Sequence, residues 1–147
     1  MKADLKLPSI GRILAIDVGD KRIGIALSDP HQVVAHPLTT LTRRQGQRFP
    51  MARLREHLDR HTPVAVVVGL PLSPEGKEGD RAREARSIGA LIHEKASLPV
   101  TYWDERMTTA RALSAVRDLG GGTRGRKSDI DRLAATTLLQ SFLDARR

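Results

Sequence analysis

Residues 13–28 read Ile-Leu-Ala-Ile-Asp-Val-Gly-Asp-Lys-Arg-Ile-Gly-Ile-Ala-Leu-Ser, and this stretch leaves few folds open to the chain. Two apolar runs meeting at a short polar turn predict a β-hairpin. The first run is apolar on both faces of a period-two strand, as in a sheet covered on both sides. Asp17 interrupts the face that Ile13 and Ala15 would share. A carboxylate left unpartnered in such surroundings costs several kcal/mol, so Asp17 calls for a proton, a cation or a metal.

The rest of the 147 residues suits one domain, 1–147, with residues 1–11 as an N-terminal extension. Cysteine is absent, which excludes disulfides and thiolate metal sites and fits the cytoplasm. No secretory signal and no run of roughly 18 apolar residues is found, so no membrane association is expected. Lys and Arg number 25 against 17 Asp and Glu, a formal charge of +8 that points to a polyanion as partner. With one Trp, one Tyr and two Phe there is little to stack on bases. Contact to phosphates and overall shape should dominate.

After the hairpin, Gln32–Ala35 and Leu38–Thr42 predict a third strand broken near Pro37. Arg43, Arg44, Arg48, Arg53 and Arg55 follow with no acid between the first and the last, either a solvated face or a phosphate-tracking patch. Pro50 suits the first turn of a helix carrying Met51, Leu54 and Leu58 on one stripe and ending near His61. Val64–Gly69 reads as a buried parallel strand. A loop over 70–80 with two Pro and two Gly precedes a helix that presents Ala82, Ala85, Ile88, Gly89 and Ile92, with Asp80 as its expected N-cap. Pro99–Trp103 is a further strand, and it delivers Asp104 and Glu105 to a strand's carboxyl end, where ligands usually bind in open α/β sheets. Asp104 or Thr108 could cap the following helix; Glu105 has no such role to explain it. Residues 119–127 predict a flexible basic loop with Arg124, Arg126 and Lys127. In the last helix, about 128–143, Asp131 tops the inward stripe of Ala134, Ala135, Leu138 and Phe142, although Ser128 and Asp131 also fit a capping box.

Three acids can therefore converge: Asp17, Glu105 and Asp131. Carboxylates within a few Å repel one another unless cations neutralise them, and oxygen-only ligands favour Mg²⁺ or Mn²⁺ over zinc. No zinc pattern is read among the five histidines. Carboxylate-held metal beside a basic surface suits phosphodiester hydrolysis.

The run Asp17-Val18-Gly19-Asp20-Lys21-Arg22-Ile23-Gly24-Ile25-Ala26-Leu27-Ser28-Asp29 is the first of four motifs. The others are Gly69-Leu70-Pro71-Leu72 with Gly76 and Gly79, Asp104-Glu105-Arg106-Met107-Thr108-Thr109, and Lys127 followed by Asp131-Arg132-Leu133-Ala134-Ala135. Together, over about residues 13–144, they resemble the YqgF/RuvX family. The resemblance implies an α/β, RNase H-like three-layer fold: a mixed five-stranded sheet with three antiparallel strands first and helices on both faces. It implies catalytic, metal-holding acids at Asp17, Glu105 and Asp131, and a nuclease that either matures the 5′ end of pre-16S rRNA or resolves Holliday junctions. Asp20 stands where the family often has Thr or a similar small residue. Asp129 adds an acid near the last site and is an alternative to Asp131 as ligand. Lys21, Arg22, Arg106, Arg124, Arg126 and Lys127 are the expected nucleic-acid contacts. Junction resolution would need two symmetric cuts and hence a homodimer. Two other readings compete: a non-catalytic nucleic-acid-binding module, and a single lobe of an actin or sugar-kinase-like ATPase, for which 147 residues supply only half of the usual pair.

Overall fold

The computed structural model describes residues 7–43, 48–107 and 127–147, with the backbone alone at 127–129. The hairpin forms as the pattern predicts: β1 (Ile13–Val18) and β2 (Arg22–Ser28) pair antiparallel, with Leu14 opposite Leu27 and Asp17 opposite Gly24. β3 (Ala35–Thr42) joins the outer side of β2. It begins later than expected, because Gln32, Val33 and Val34 are not strand. They form a turn held by Asp29, whose carboxylate accepts from the amides of His31, Val33 and Val34. Pro37 lies inside β3, tolerated because β3 is an edge strand and the register shifts opposite Ile25 and Ala26.

Helix α1 (Met51–His61) follows, with Pro50 just ahead of its first turn. The apolar run Ala65–Leu70 is β4, parallel to β1, and β5 (Val100–Asp104) is parallel to β4. Between them α2 (Asp80–Ala96) starts one residue earlier than expected: Gly79 is the N-cap, and Asp80 is the first helical residue, paired with Arg83. A short 3-10 turn, Glu105–Met107, ends β5, and the last helix, α3, spans Lys127–Arg146. The helix expected after Thr108, and residues 119–126 of the basic loop, lie outside the described residues.

The sheet order β3-β2-β1-β4-β5 is mixed, with helices on both faces, as the resemblance implies. Strand alternation divides the core in two. Leu14, Ile16, Ile25, Val66 and Val68 pack on the face that carries Leu54 and Leu58 of α1 and Ile88 and Ile92 of α2. Ile13, Ala15, Ala26, Val67 and Trp103 pack against Ala134, Ala135, Leu138 and Phe142 of α3. Trp103 meets Phe142 edge-on at 5.7 Å, and its indole N–H donates to Ser141 Oγ at 3.1 Å. Small residues predominate on the sheet side of this second layer, so α3 lies close against the strands. Among the described residues no helix is long and apolar enough to cross a membrane.

Candidate active site

Following the α3 face along each strand leads to one place. On β1 the order Ile13, Ala15 continues to Asp17; on β4, Ala65 and Val67 continue to Gly69; on β5, Trp103 is followed two residues on by Glu105. These three strands run parallel, so their carboxyl ends coincide. Antiparallel β2 brings its beginning, Arg22 and Gly24, to the same end.

Two glycines make room there. A Cβ at Gly24 would overlap the carbonyl of Asp131, so the first turns of α3 rest directly on the β2 backbone. A Cβ at Gly69 would stand 2.6 Å from Glu105 Oε1 and 3.2 Å from Leu138 Cδ2, so the Glu105 carboxylate occupies the space a side chain would fill. Asp17, Glu105 and Asp131 are 2%, 7% and 0% exposed. Three buried acids are thus gathered on the layer between the sheet and α3. Burial of acids on this scale demands compensation.

Part of that compensation is Arg22, whose Nε donates to Asp131 Oδ2 at 3.0 Å while the guanidinium stays 22% exposed. The turn that carries Lys21 and Arg22 is itself braced. Gly19 N–H donates to the Arg22 carbonyl, and Arg43, nearly buried, donates to the Gly19 carbonyl and to Glu84. Arg81 pairs with Asp20 at 3.1 Å, which gives the acid at this unusual position a partner on α2. Lys21 is exposed beside them. Arg53 and Arg55, from the same basic run as Arg43, donate to Thr42 Oγ1 and the Lys95 carbonyl.

Asp104 and Arg106 flank Glu105. Asp104 is buried and receives the Arg106 amide and the Arg106 guanidinium; Arg106 also donates to the Pro74 carbonyl at 3.0 Å. Burial works to raise the Asp104 carboxyl, but the hydrogen bonds and charge of Arg106 outweigh it and hold the pKa below the usual value. Arg124 and Arg126 lie outside the described residues; Lys127 and Asp129 are described only as backbone of the first turn of α3.

Among the described residues, no group of three or more His, Cys, Asp or Glu side chains could hold a metal ion as they stand. The donor chemistry nevertheless fits a hard divalent cation: Asp17, Glu105 and Asp131 supply only carboxylate oxygens, and Gly69 leaves the Glu105 oxygen its space. On the opposite layer, His57 and His61 stand four residues apart on α1, a ligand spacing the reading of the histidines missed. Their rings stack 6.4 Å apart. Burial, then His57 and the charges of Arg60 and Arg12, lower the pKa of His61, and the same charges oppose a cation there.

The sheet order and the helices on both faces define a class, the RNase H-like fold. RuvC of Thermus thermophilus, solved with a Holliday junction substrate, superposes with a TM-score of 0.55 at 19% identity, covering 91% of this chain and 94% of RuvC. The yeast mitochondrial Holliday junction resolvase Ydc2 gives 0.55 at 14%, covering 97% and 82%. Within that class the chain belongs to the RuvX family, described as Holliday junction resolvase, which it matches over residues 11–145. Relatives named "Putative pre-16S rRNA nuclease" include one from Koribacter versatilis, 39% identical over 97% of this chain and 94% of its own. Another, from Lachnospira eligens, is 34% identical over 92% and 99%. The family and its named relatives make this chain a nuclease, a hydrolase of phosphodiester bonds.

Proposed function

We propose that the chain is a divalent-metal-dependent endonuclease that processes the 5′ end of pre-16S rRNA in the cytoplasm. The observation that carries the proposal is the burial of three carboxylates, Asp17, Glu105 and Asp131, Glu105 beside Gly69 and Leu138 and Asp131 on the helix turn that rests on Gly24. Relatives at 34–39% identity that bear the name of such a nuclease support the substrate. In this reading Asp17, Glu105 and Asp131 hold Mg²⁺ or Mn²⁺, with Asp129 as the alternative on α3. The metal, when bound, would polarise the scissile phosphate and lower the pKa of an attacking water.

The chain's own residues do the rest. Asp17 is carried by a central strand and Glu105 by the end of β5, so neither moves with a loose loop. Arg22 offsets the charge of Asp131. Exposed Lys21, together with Arg22, Arg124, Arg126 and Lys127, would track the phosphate backbone, and Arg106 borders the same site. Junction resolution is the second reading, supported by the family description and by the fold shared with RuvC. It requires a twofold dimer for its paired cuts.

The test is cleavage, side by side and with added Mg²⁺ or Mn²⁺, of a precursor rRNA fragment and a synthetic four-way DNA junction. Cutting of the rRNA at one defined position supports the proposal. Paired cuts in the junction with the rRNA left intact replace it by the second reading, and no cutting of either removes both.

A further inference from the structure

Arg106 carries one of the cations expected to meet phosphate, yet most of its donors point into the protein. Its amide donates to Asp104 Oδ1 at 2.9 Å, its Nε to both Asp104 oxygens at 3.0 and 3.1 Å, and its Nη2 to Oδ2 at 2.8 Å. Nη1 reaches across to the Pro74 carbonyl at 3.0 Å. One side chain therefore closes a ring over the peptide units on either side of Glu105 and ties them to a second segment 32 residues away in sequence.

That second segment is a compact turn. Leu72 and Glu78 are bridged, Ser73 N–H donates to the Lys77 carbonyl at 2.9 Å, Gly76 N–H to the Ser73 carbonyl at 2.8 Å, and Lys77 N–H to Ser73 Oγ at 3.1 Å. Its far end is held as well, since Arg86 grips both Glu78 oxygens at 2.7 Å and lies over the Tyr102 ring. On the Pro74 side the tie to the rest of the protein is the Arg106 contact to the Pro74 carbonyl. The Glu105 carboxylate meanwhile lies over Gly69, where an added Cβ would stand 2.6 Å from its Oε1 and 3.2 Å from Leu138 Cδ2.

We infer that Arg106 is a positioning residue that sets the Glu105 carboxylate over Gly69 and fixes the 72–78 turn beside it as one rigid unit. The planar fork is essential to this role, because it satisfies both Asp104 oxygens while a third nitrogen reaches Pro74. Lysine offers one point charge and cannot do both. Glu105 as a metal ligand rests on the function proposed above; the placement of the 72–78 turn does not.

The test compares R106K, R106A and D104N with E105Q in three measurements on the full chain. Amide hydrogen exchange at Gly76 and Lys77 should speed up about tenfold or more in R106K, R106A and D104N and remain unchanged in E105Q. Mn²⁺ affinity, titrated calorimetrically without nucleic acid, should fall about 10- to 100-fold in all four, in line with the loss of a group that orients a ligand. The salt slope of binding to a precursor rRNA fragment should not change in R106K or R106A. A slope lowered by about one in R106A, with exchange and Mn²⁺ affinity intact, makes Arg106 a phosphate contact and overturns the inference. So does unchanged exchange in all three variants. Should E105Q bind Mn²⁺ as tightly as the parent, the metal-site proposal fails, and the exchange data alone then decide the role of Arg106. D104N keeps the size of Asp104 and serves if R106A does not fold.

Discussion

The guanidinium of Arg22 donates to the carboxylate of Asp131 at 3.0 Å, joining the first residue of β2 to the first turns of α3 across 109 positions of sequence. Asp131 is fully buried while Arg22 remains partly open to solvent, so the pair can be broken from the Arg side. A metal ion held by Asp131 would compete with this guanidinium for the same oxygen.

R22Q should therefore lower the stability of the metal-free protein by about 1–3 kcal/mol, because a buried acceptor loses its charged donor. It should also widen the gain in melting temperature on adding Mn²⁺, since the ion no longer has to displace a cation. Melting curves in EDTA and in Mn²⁺ measure both. A smaller metal-induced gain in R22Q than in the parent would mean that Arg22 and the ion do not compete.

D17N should abolish cleavage and leave nucleic-acid binding nearly intact. The substitution preserves the shape of the side chain on the central strand and removes its negative charge. Cleavage and binding assayed on the same RNA fragment check this, and wild-type cleavage by the Asn variant would refute the metal site.

The two glycines should respond differently to alanine. In G24A the added methyl meets helix backbone at the Asp131 carbonyl, and neither β2 nor α3 can yield cheaply. A loss of about 1–3 kcal/mol or more is expected. In G69A the methyl meets a side-chain oxygen 2.6 Å away, so Glu105 turns aside at smaller cost to folding. G69A should lose activity out of proportion to its stability. Denaturant unfolding beside cleavage rates separates the two effects.

Asp29 should mark the acid limb of stability. The amide of Val34 lowers its carboxyl pKa most; burial opposes this, and the amides of Val33 and His31 add to the lowering. The folded pKa lies below the unfolded one, so the contribution is present above about pH 4 and is lost as pH falls through the folded value. Melting temperatures followed from pH 6 to pH 2 should fall less steeply in D29N than in the parent over the acid end of that range.

Much of this architecture could be read from local pattern. The hairpin, the buried strand Ala65–Leu70 and the stripes of α1, α2 and α3 are repeats of period two or 3.6, and each shows within a dozen residues. The placing of Asp17 on the face of Ile13 and Ala15 follows from the same alternation. What could not be read depends on partners far away in sequence. Gly24 and Gly69 look like ordinary strand glycines until α3 and Glu105 are set against them. Arg43 belongs to a basic run and is spent on bracing the Gly19 turn, and Arg106 turns inward because Asp104 is buried beneath it. Gln32–Val34 has the composition of a strand, but three amides find a closer acceptor in Asp29. Asp80 misses the cap position by one residue because Gly79 adopts the extended conformation that ends the loop.

The seating of α3 on Gly24 also orders events in time. During synthesis the hairpin with Asp17 emerges first, and Glu105 follows with β5. The Asp131 carbonyl can reach its seat only after the helix that carries it has been made. The Arg22–Asp131 pair and the seat of α3 on Gly24 are therefore among the last contacts of the fold to form, and the β2 backbone around Gly24 stays uncovered until the final helix docks.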